Sequence, residues 1–283
     1  MQQIRIVRPA SALPKEIWEK VYPVFLKYGY TPTLGNTPLH PVSYLAGTTT
    51  ERVQELQEAF ADKEAACIMG IRGGYGSATL LDALDYKFIK HHPKPFFGIS
   101  DLTALQNALY AKTGMVSYTG FAAICLSTHP QAKLFQQLKA ILQDRPSSYK
   151  ARTVTGTGNV RGHLIGGSLS NFVTLIGTPY CPKLNKAILL IEEVSEPPYK
   201  VERMLNHLRL AGVFKAVSGV VLGSFYQCQY KGTTMAPVLE NYFKTLSKPV
   251  FWHVPYGHSP KDYLILPIGG TVCLDTRTKT LTY

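Results

Sequence analysis

Short apolar runs alternate along the first half of the chain with longer segments whose apolar residues recur every three or four positions. Ile4–Val7 reads as a strand, and Ile17, Val21, Val24, Phe25 and Tyr28 line one face of a helix over Pro14–Tyr28. Gly29 stops that helix. A second helix over Thr50–Ala61 opens with a threonine able to cap it and acidic residues early in the helix. A strand at Ala65–Met69, a Gly-rich turn, a helix at Ala78–Leu84, a strand at Phe96–Ile99 and a helix at Leu102–Tyr110 follow. This alternation predicts a parallel sheet flanked by helices, with functional groups beyond the carboxyl ends of its strands.

Around Asp144–Gly158 the chain loses large apolar residues and gains turn formers. A boundary is expected there, with residues 1–145 as an N-terminal Rossmann- or flavodoxin-like α/β domain and 146–160 as a linker. Residues 161–283 then form a smaller, strand-rich α/β domain. Its strands are expected at Ala187–Ile191, Ala216–Leu222, Val250–His253, Tyr263–Pro267 and Gly270–Asp275, with helices near Ser168–Leu175 and Lys200–Ala211.

With 283 residues, 45% of them hydrophobic, the chain can bury a large core. No run of about eighteen apolar residues exists, and Met1–Val7 reads as a strand start without a leader's apolar region, so a cytoplasmic protein with no membrane partner is expected. Five scattered cysteines with no C-x-x-C pair suggest neither a disulfide framework nor a zinc site, and no metal or cofactor is expected. The net charge of +12 would attract acidic small molecules, but it is spread along the chain without a basic run, so no nucleic-acid partner is expected.

Four segments carry candidate chemistry. In Phe96-Phe97-Gly98-Ile99-Ser100-Asp101 an apolar strand runs into a serine at a helix start, which suits a nucleophile beside free N–H groups and equally suits a helix cap. Gly70-Ile71-Arg72-Gly73-Gly74-Tyr75-Gly76-Ser77 could turn N–H groups toward an oxyanion, or be a tight turn with Ser77 capping the next helix. It lacks the ending of a phosphate-binding loop. Glu192 and Glu193 end an apolar strand, poised to orient an imidazole or simply solvated. His258 lies in a loop bounded by glycine and proline, among seven other histidines.

Taken in order, Arg72-Gly73-Gly74-Tyr75-Gly76, Gly98-Ile99-Ser100-Asp101, Gly166-Gly167-Ser168-Leu169-Ser170, Ile176-Gly177-Thr178-Pro179-Tyr180, Glu192-Glu193 with Glu196-Pro197-Pro198-Tyr199, and Gly257-His258 with Leu266-Pro267-Ile268-Gly269 resemble the murein LD-carboxypeptidase family. These serine peptidases include the microcin C self-immunity proteins. The resemblance implies a triad of Ser100, Glu192 and His258, with the backbone N–H groups of Gly74 and Asp101 as the oxyanion hole. It also implies a cytoplasmic muropeptide tetrapeptide as substrate, losing its terminal D-alanine, and a homodimer.

Two loops depart from the family pattern. Gly166-Gly167-Ser168 stands where the family commonly has Gly-Gly-Asn, and Tyr118-Thr119-Gly120-Phe121 where it commonly has His/Ser-Gly-Pro. Tyr75 and Ser168 are accordingly expected as substrate contacts. A muropeptide-binding protein without chemistry and a microcin-type peptidase are the alternatives. Arg72, Arg203 and Glu196 suit substrate-carboxylate roles or, for Arg203, an internal ion pair.

Overall fold

The computed structural model describes residues 1–35, 37 and 39–283. The first half runs β1 (Gln2–Val7), α1 (Lys15–Lys27), β2 (Tyr30–Leu34), α2 (Thr49–Ala61), β3 (Ala65–Gly70), α3 (Tyr86–His91), β4 (Phe96–Gly98), α4 (Leu102–Thr113), β5 (Ser117–Thr119) and α5 (Gln131–Leu142). There follow β6 (Ser148–Lys150), β7 (Thr153–Thr155), β8 (Asn159–Ser168), α6 (Leu169–Val173), β9 (Ile188–Val194), α7 (Pro198–Leu210), α8 (Val213–Ala216) and β10 (Gly219–Tyr226). The chain ends with α9 (Met235–Phe243), β11 (Val250–Trp252), β12 (Leu266–Ile268), β13 (Thr271–Asp275) and β14 (Thr280–Thr282).

Two sheets result. The first has the order β12-β5-β4-β3-β1-β2 and is parallel except for β12, which pairs antiparallel with β5. The second has the order β6-β14-β13-β8-β9-β10-β11-β7, with parallel β8–β11 at its centre and antiparallel strands outside. The central strands β3, β4, β9 and β10 are mostly apolar runs, as burial on both faces requires, whereas β1 alternates, with Ile4 and Ile6 buried and Gln3 and Arg5 half-buried.

Helix α4 joins the two sheets. The side chain of Asn107 donates to the Gly166 carbonyl and accepts from the Gly166 N–H, at 2.8 and 2.9 Å, and Thr103 Oγ1 accepts the Ser168 N–H at 3.1 Å. Thr103 and Asn107 are one helical turn apart, so one face of α4 grips the carboxyl end of β8. Gly167 is needed there: its φ is +132°, and a Cβ would sit 2.7 Å from Thr103 Oγ1. A second tie joins Thr119 Oγ1 on β5 to the hydroxyl of buried Tyr256 at 2.8 Å. A strand from the last twenty residues thus edges the first sheet, and the loop before it is tied to the same sheet.

The elements differ from the sequence reading in definite places. Thr48 caps α2, not Thr50: its hydroxyl accepts the Glu51 N–H, and the Glu51 carboxylate takes the Thr48 N–H in return. The expected helix at Ala78–Leu84 is a single 3-10 turn over Ser77–Leu80, because Ser77 is tied sideways to Asp101 and Asp85 starts α3 almost at once. The strand expected from Ala216 begins at Gly219, since left-handed Gly212 restarts the chain as α8. That expected from Tyr263 begins at Leu266, because the N–H groups of Tyr263 and Leu264 both turn back to the Pro255 carbonyl.

Candidate active site

The carboxyl ends of β3, β4, β9 and β10 and the loop before β12 converge. Between β4 and α4 the chain turns through Ser100 with φ +67°, a left-handed conformation that costs a non-glycine residue about 1–2 kcal/mol. Ser100 does not cap the helix. Asp101 stands at the cap position of α4, and its carboxylate points elsewhere, accepting the Ser77 N–H at 2.8 Å while the Ser77 hydroxyl donates to the Asp101 carbonyl at 2.6 Å. Ser77 is therefore a cross-tie between the Gly-rich turn and the serine turn, and Gly76 holds the cap position of its own 3-10 turn. Burial pushes the Asp101 carboxyl up, against the hydrogen bonds from Ser77.

The Gly-rich turn lies against the serine. A Cβ on Gly73 would stand 2.7 Å from Ser100 Cβ and 3.1 Å from the Asp101 nitrogen, so any side chain there would displace the serine turn. Gly74 has φ +105°, and Ser11 Oγ, which accepts the Tyr75 N–H at 3.2 Å, fills the place of its Cβ. Among the described residues, the Gly74 and Asp101 N–H groups donate to no protein acceptor. Beneath the turn, fully buried Arg52 donates to the carbonyls of Gly47, Pro9 and Gly76 at 3.0, 2.7 and 2.9 Å and to Thr79 Oγ1 at 3.0 Å. One guanidinium thereby fixes three loops.

From the second sheet come the acid and the imidazole. Glu192 is fully buried near the end of β9, and its Oε2 lies 2.8 Å from His258 Nδ1. Gly223 on β10 permits this, since a Cβ there would come within 3.0 Å of Glu192 Cβ. Burial pulls the His258 imidazole down, but the charge and hydrogen bond of Glu192, with the charges of Glu193 and Asp262, outweigh it and leave the ring above its ordinary value. The histidine loop is braced by Asp262, which accepts from the Ser224 hydroxyl at 2.5 Å and the Ser259 N–H at 2.9 Å. Glu193 accepts the N–H groups of Ser170 and Val194 at 2.7 and 2.9 Å, and burial, then the neighbouring Glu192 charge, raises it to about 7.

Ser100 and His258 line one cavity of about 260 Å³, with Gly74 and Arg72 on its wall. No hydrogen bond joins Ser100 to His258 among the described residues; such bonds commonly close only when substrate is in place. Tyr75 and Ser168 lie outside this cavity's lining. Tyr75 is 69% exposed and packs edge-on against Tyr44, with ring centroids 5.8 Å apart. Ser168 is buried, its hydroxyl engaged by Ser170 and Asn171 at 3.2 and 2.9 Å. Glu196 pairs with Lys200 at 3.2 Å, and exposed Arg203 makes no ion pair among the described residues.

Sequence reasoning missed Arg52, Tyr256, Asp262, the tie from Thr119 to Tyr256, and the cavity-lining residues Ile124, Cys125, Ser127, Thr128 and His129. Among the described residues no group of three or more His, Cys, Asp and Glu could hold a metal, and no helix is long and apolar enough to cross a membrane.

A strained serine after a parallel strand shares one cavity with a histidine bonded to a buried glutamate on a second sheet, residue types that serine hydrolases use. Residues 4–120 match the family described as the LD-carboxypeptidase N-terminal domain, and residues 161–274 match its C-terminal domain. The chain is 30% identical over 98% of its length, and 90% of the relative's, to a probable murein peptide carboxypeptidase of Bacillus subtilis. It superposes on the muramoyltetrapeptide carboxypeptidase of Oxalobacter formigenes with a TM-score of 0.87 at 27% identity, covering 99% of this chain and 97% of that one. The unliganded microcin C7 self-immunity protein, whose sequence is known from Escherichia coli, gives a TM-score of 0.89 at 27% identity over 99% and 95%. The chain belongs to the LD-carboxypeptidase family and is a serine-type carboxypeptidase.

Proposed function

We propose that the chain removes the terminal D-alanine from a murein tetrapeptide, cutting the bond between an L-centre and a D-residue through an acyl-enzyme on Ser100. The observation that carries this reading is the 2.8 Å bond from His258 Nδ1 to buried Glu192 in a ring that shares its cavity with Ser100. Bonded to Glu192 through Nδ1, the imidazole keeps Nε2 for the cavity. Neutral His258 takes the Ser100 hydroxyl proton as the oxygen attacks the scissile carbonyl, and Glu192 stabilises the resulting cation. The oxyanion accepts the N–H groups of Gly74 and Asp101, which have no protein acceptor among the described residues. His258 then protonates the leaving amine, D-alanine departs, and water activated by the same ring hydrolyses the ester and restores the Ser100 hydroxyl.

The substrate follows from the family and from the murein and muramoyltetrapeptide names of the similar proteins. Free thiols at Cys67, Cys125, Cys181, Cys228 and Cys273 suit a reducing compartment, which supports a cytoplasmic role in recycling wall fragments. The buried Glu192 bonded to His258, beside Ser100 in one cavity, favours chemistry over binding alone. A microcin-type substrate remains a second reading, favoured by the TM-score of 0.89 to the self-immunity protein.

The test is mass-spectrometric analysis of two tetrapeptides differing only in the chirality of the last alanine. Tripeptide should form from the D-terminated peptide alone. Equal cleavage of both, or of neither, contradicts the reading.

A further inference from the structure

We propose that Arg72, seconded by His129, forms the subsite that receives the free carboxylate of the departing C-terminal residue. This rests on the carboxypeptidase reading above and gives the residues that make the enzyme require a chain end.

Arg72 opens the Gly-rich turn and lines the same cavity as Ser100 and His258. It is two residues before Gly74, and the glycine between them lies against Ser100. Its guanidinium is almost unspent. One Nη donates to the Ala12 carbonyl at a long 3.4 Å, Nε is buried without a partner, and among the described residues no carboxylate lies within ion-pair distance. Half-buried, Arg72 keeps most of its N–H groups free of protein partners, so a ligand carboxylate could pair with it at little desolvation cost. Arg52, by contrast, finds a protein oxygen for each of its three guanidinium nitrogens.

His129, on the lining of the same cavity, repeats the pattern. Its Nδ1 is 2.8 Å from Thr128 Oγ1, whereas Nε2 is buried without a partner. Burial and the neighbouring His258 charge lower this ring, against backbone hydrogen bonding toward Gly257 and Cys125, and so favour its neutral form. A guanidinium and an imidazole nitrogen without a hydrogen-bond partner therefore line one small space.

Reach and size agree with the assignment. In a C-terminal residue the carboxylate carbon is one peptide unit from the scissile carbonyl carbon, within about 4 Å. With the carbonyl on Ser100, the carboxylate falls inside the cavity that Arg72 and His129 line. That cavity, about 260 Å³, is below the range of about 300–1,000 Å³ that holds a drug-sized ligand, and suits one small residue. An internal peptide bond would bring a neutral amide and further chain into it, leaving the guanidinium unpaired.

The experiment compares the tetrapeptide carrying a free terminal carboxylate with its C-terminal amide, in kcat/KM for the native chain and in Kd for the Ser100→Ala protein. The native chain should prefer the free acid by ten- to a hundredfold, the range of one charge-assisted hydrogen-bonded pair. Arg72→Gln should collapse that preference to within about threefold in both measurements. Arg72→Lys should keep part of it, and His129→Gln should reduce it by less than Arg72→Gln. An acid-to-amide ratio that Arg72→Gln leaves unchanged while both substrates slow together overturns the proposal, because Arg72 then only supports the loop. Equal handling of acid and amide by the native chain also overturns it. No turnover, with binding that still prefers the acid through Arg72, sustains this subsite and contradicts the proposed reaction. Neither turnover nor binding contradicts both.

Discussion

Glu192 Oε2 lies 2.8 Å from His258 Nδ1, across 66 residues of sequence, with the carboxylate fully buried and the ring partly open. The bond orients the ring and biases its protonation in one direction. Because His258 is raised and must be neutral to act as a base, kcat/KM should rise with pH through a limb above the ordinary imidazole value of about 6.5. Glu192→Gln should move that limb to lower pH and cut kcat by about 10³–10⁴, as seen when a triad acid is made an amide. In folding, the raised ring contributes stability present in full below about pH 6.5 and lost as pH rises through its folded value. A pH–rate profile of both proteins checks the shift.

Gly257 precedes His258 with φ +136°, and a Cβ there would stand 2.9 Å from Glu192 Oε2 and closer still to Ser224 Oγ. Gly257→Ala should cost about 1–3 kcal/mol in stability and slow turnover by about a hundredfold or more. Urea unfolding and kcat on the same preparation separate the two losses. A variant with full activity would mean that the histidine loop tolerates displacement.

Arg52→Leu should be among the most destabilising single changes, at about 3 kcal/mol or more. It leaves the Gly47 and Pro9 carbonyls without their buried donor and removes the bridge to Gly76 and Thr79, which keep only their bonds to each other. Thermal unfolding tests this, and Arg52→Lys should recover only part of the loss because one ammonium cannot span the same fork.

Ser100→Gly should unfold at higher denaturant than Ser100→Ala, by about 1 kcal/mol, since only glycine occupies φ +67° without strain. Both should be inactive. Equal stability of the two would show that the serine turn carries no strain.

The repeated strand–helix pattern and the strand-end positions of Ser100 and Glu192 were legible because they rest on local periodicity and on a short apolar run ending in a polar group. His258 stood out only through its place in a longer order of motifs. The supports of the site were hidden for physical reasons. Arg52 sits between Glu51 and Val53 on a helix whose charges read as solvated, and only the fold reveals the carbonyls around it. Thr119 and Tyr256 meet across 137 residues, and Gln137 takes the Ile265 N–H across 128, through contacts no local pattern encodes. Ser168 was read as a substrate contact from the departure in its loop, yet its hydroxyl is occupied by Ser170 and Asn171.

The measurement that bears most directly on the account is D-alanine release from purified muropeptide tetrapeptide by the native chain and by Ser100→Ala, with folding of both verified by circular dichroism. Release by the native chain, reduced at least about 10⁴-fold by the substitution, is the expected result. Release that survives in Ser100→Ala, or none from a folded native chain, would contradict the assignment of Ser100 as the nucleophile of an LD-carboxypeptidase.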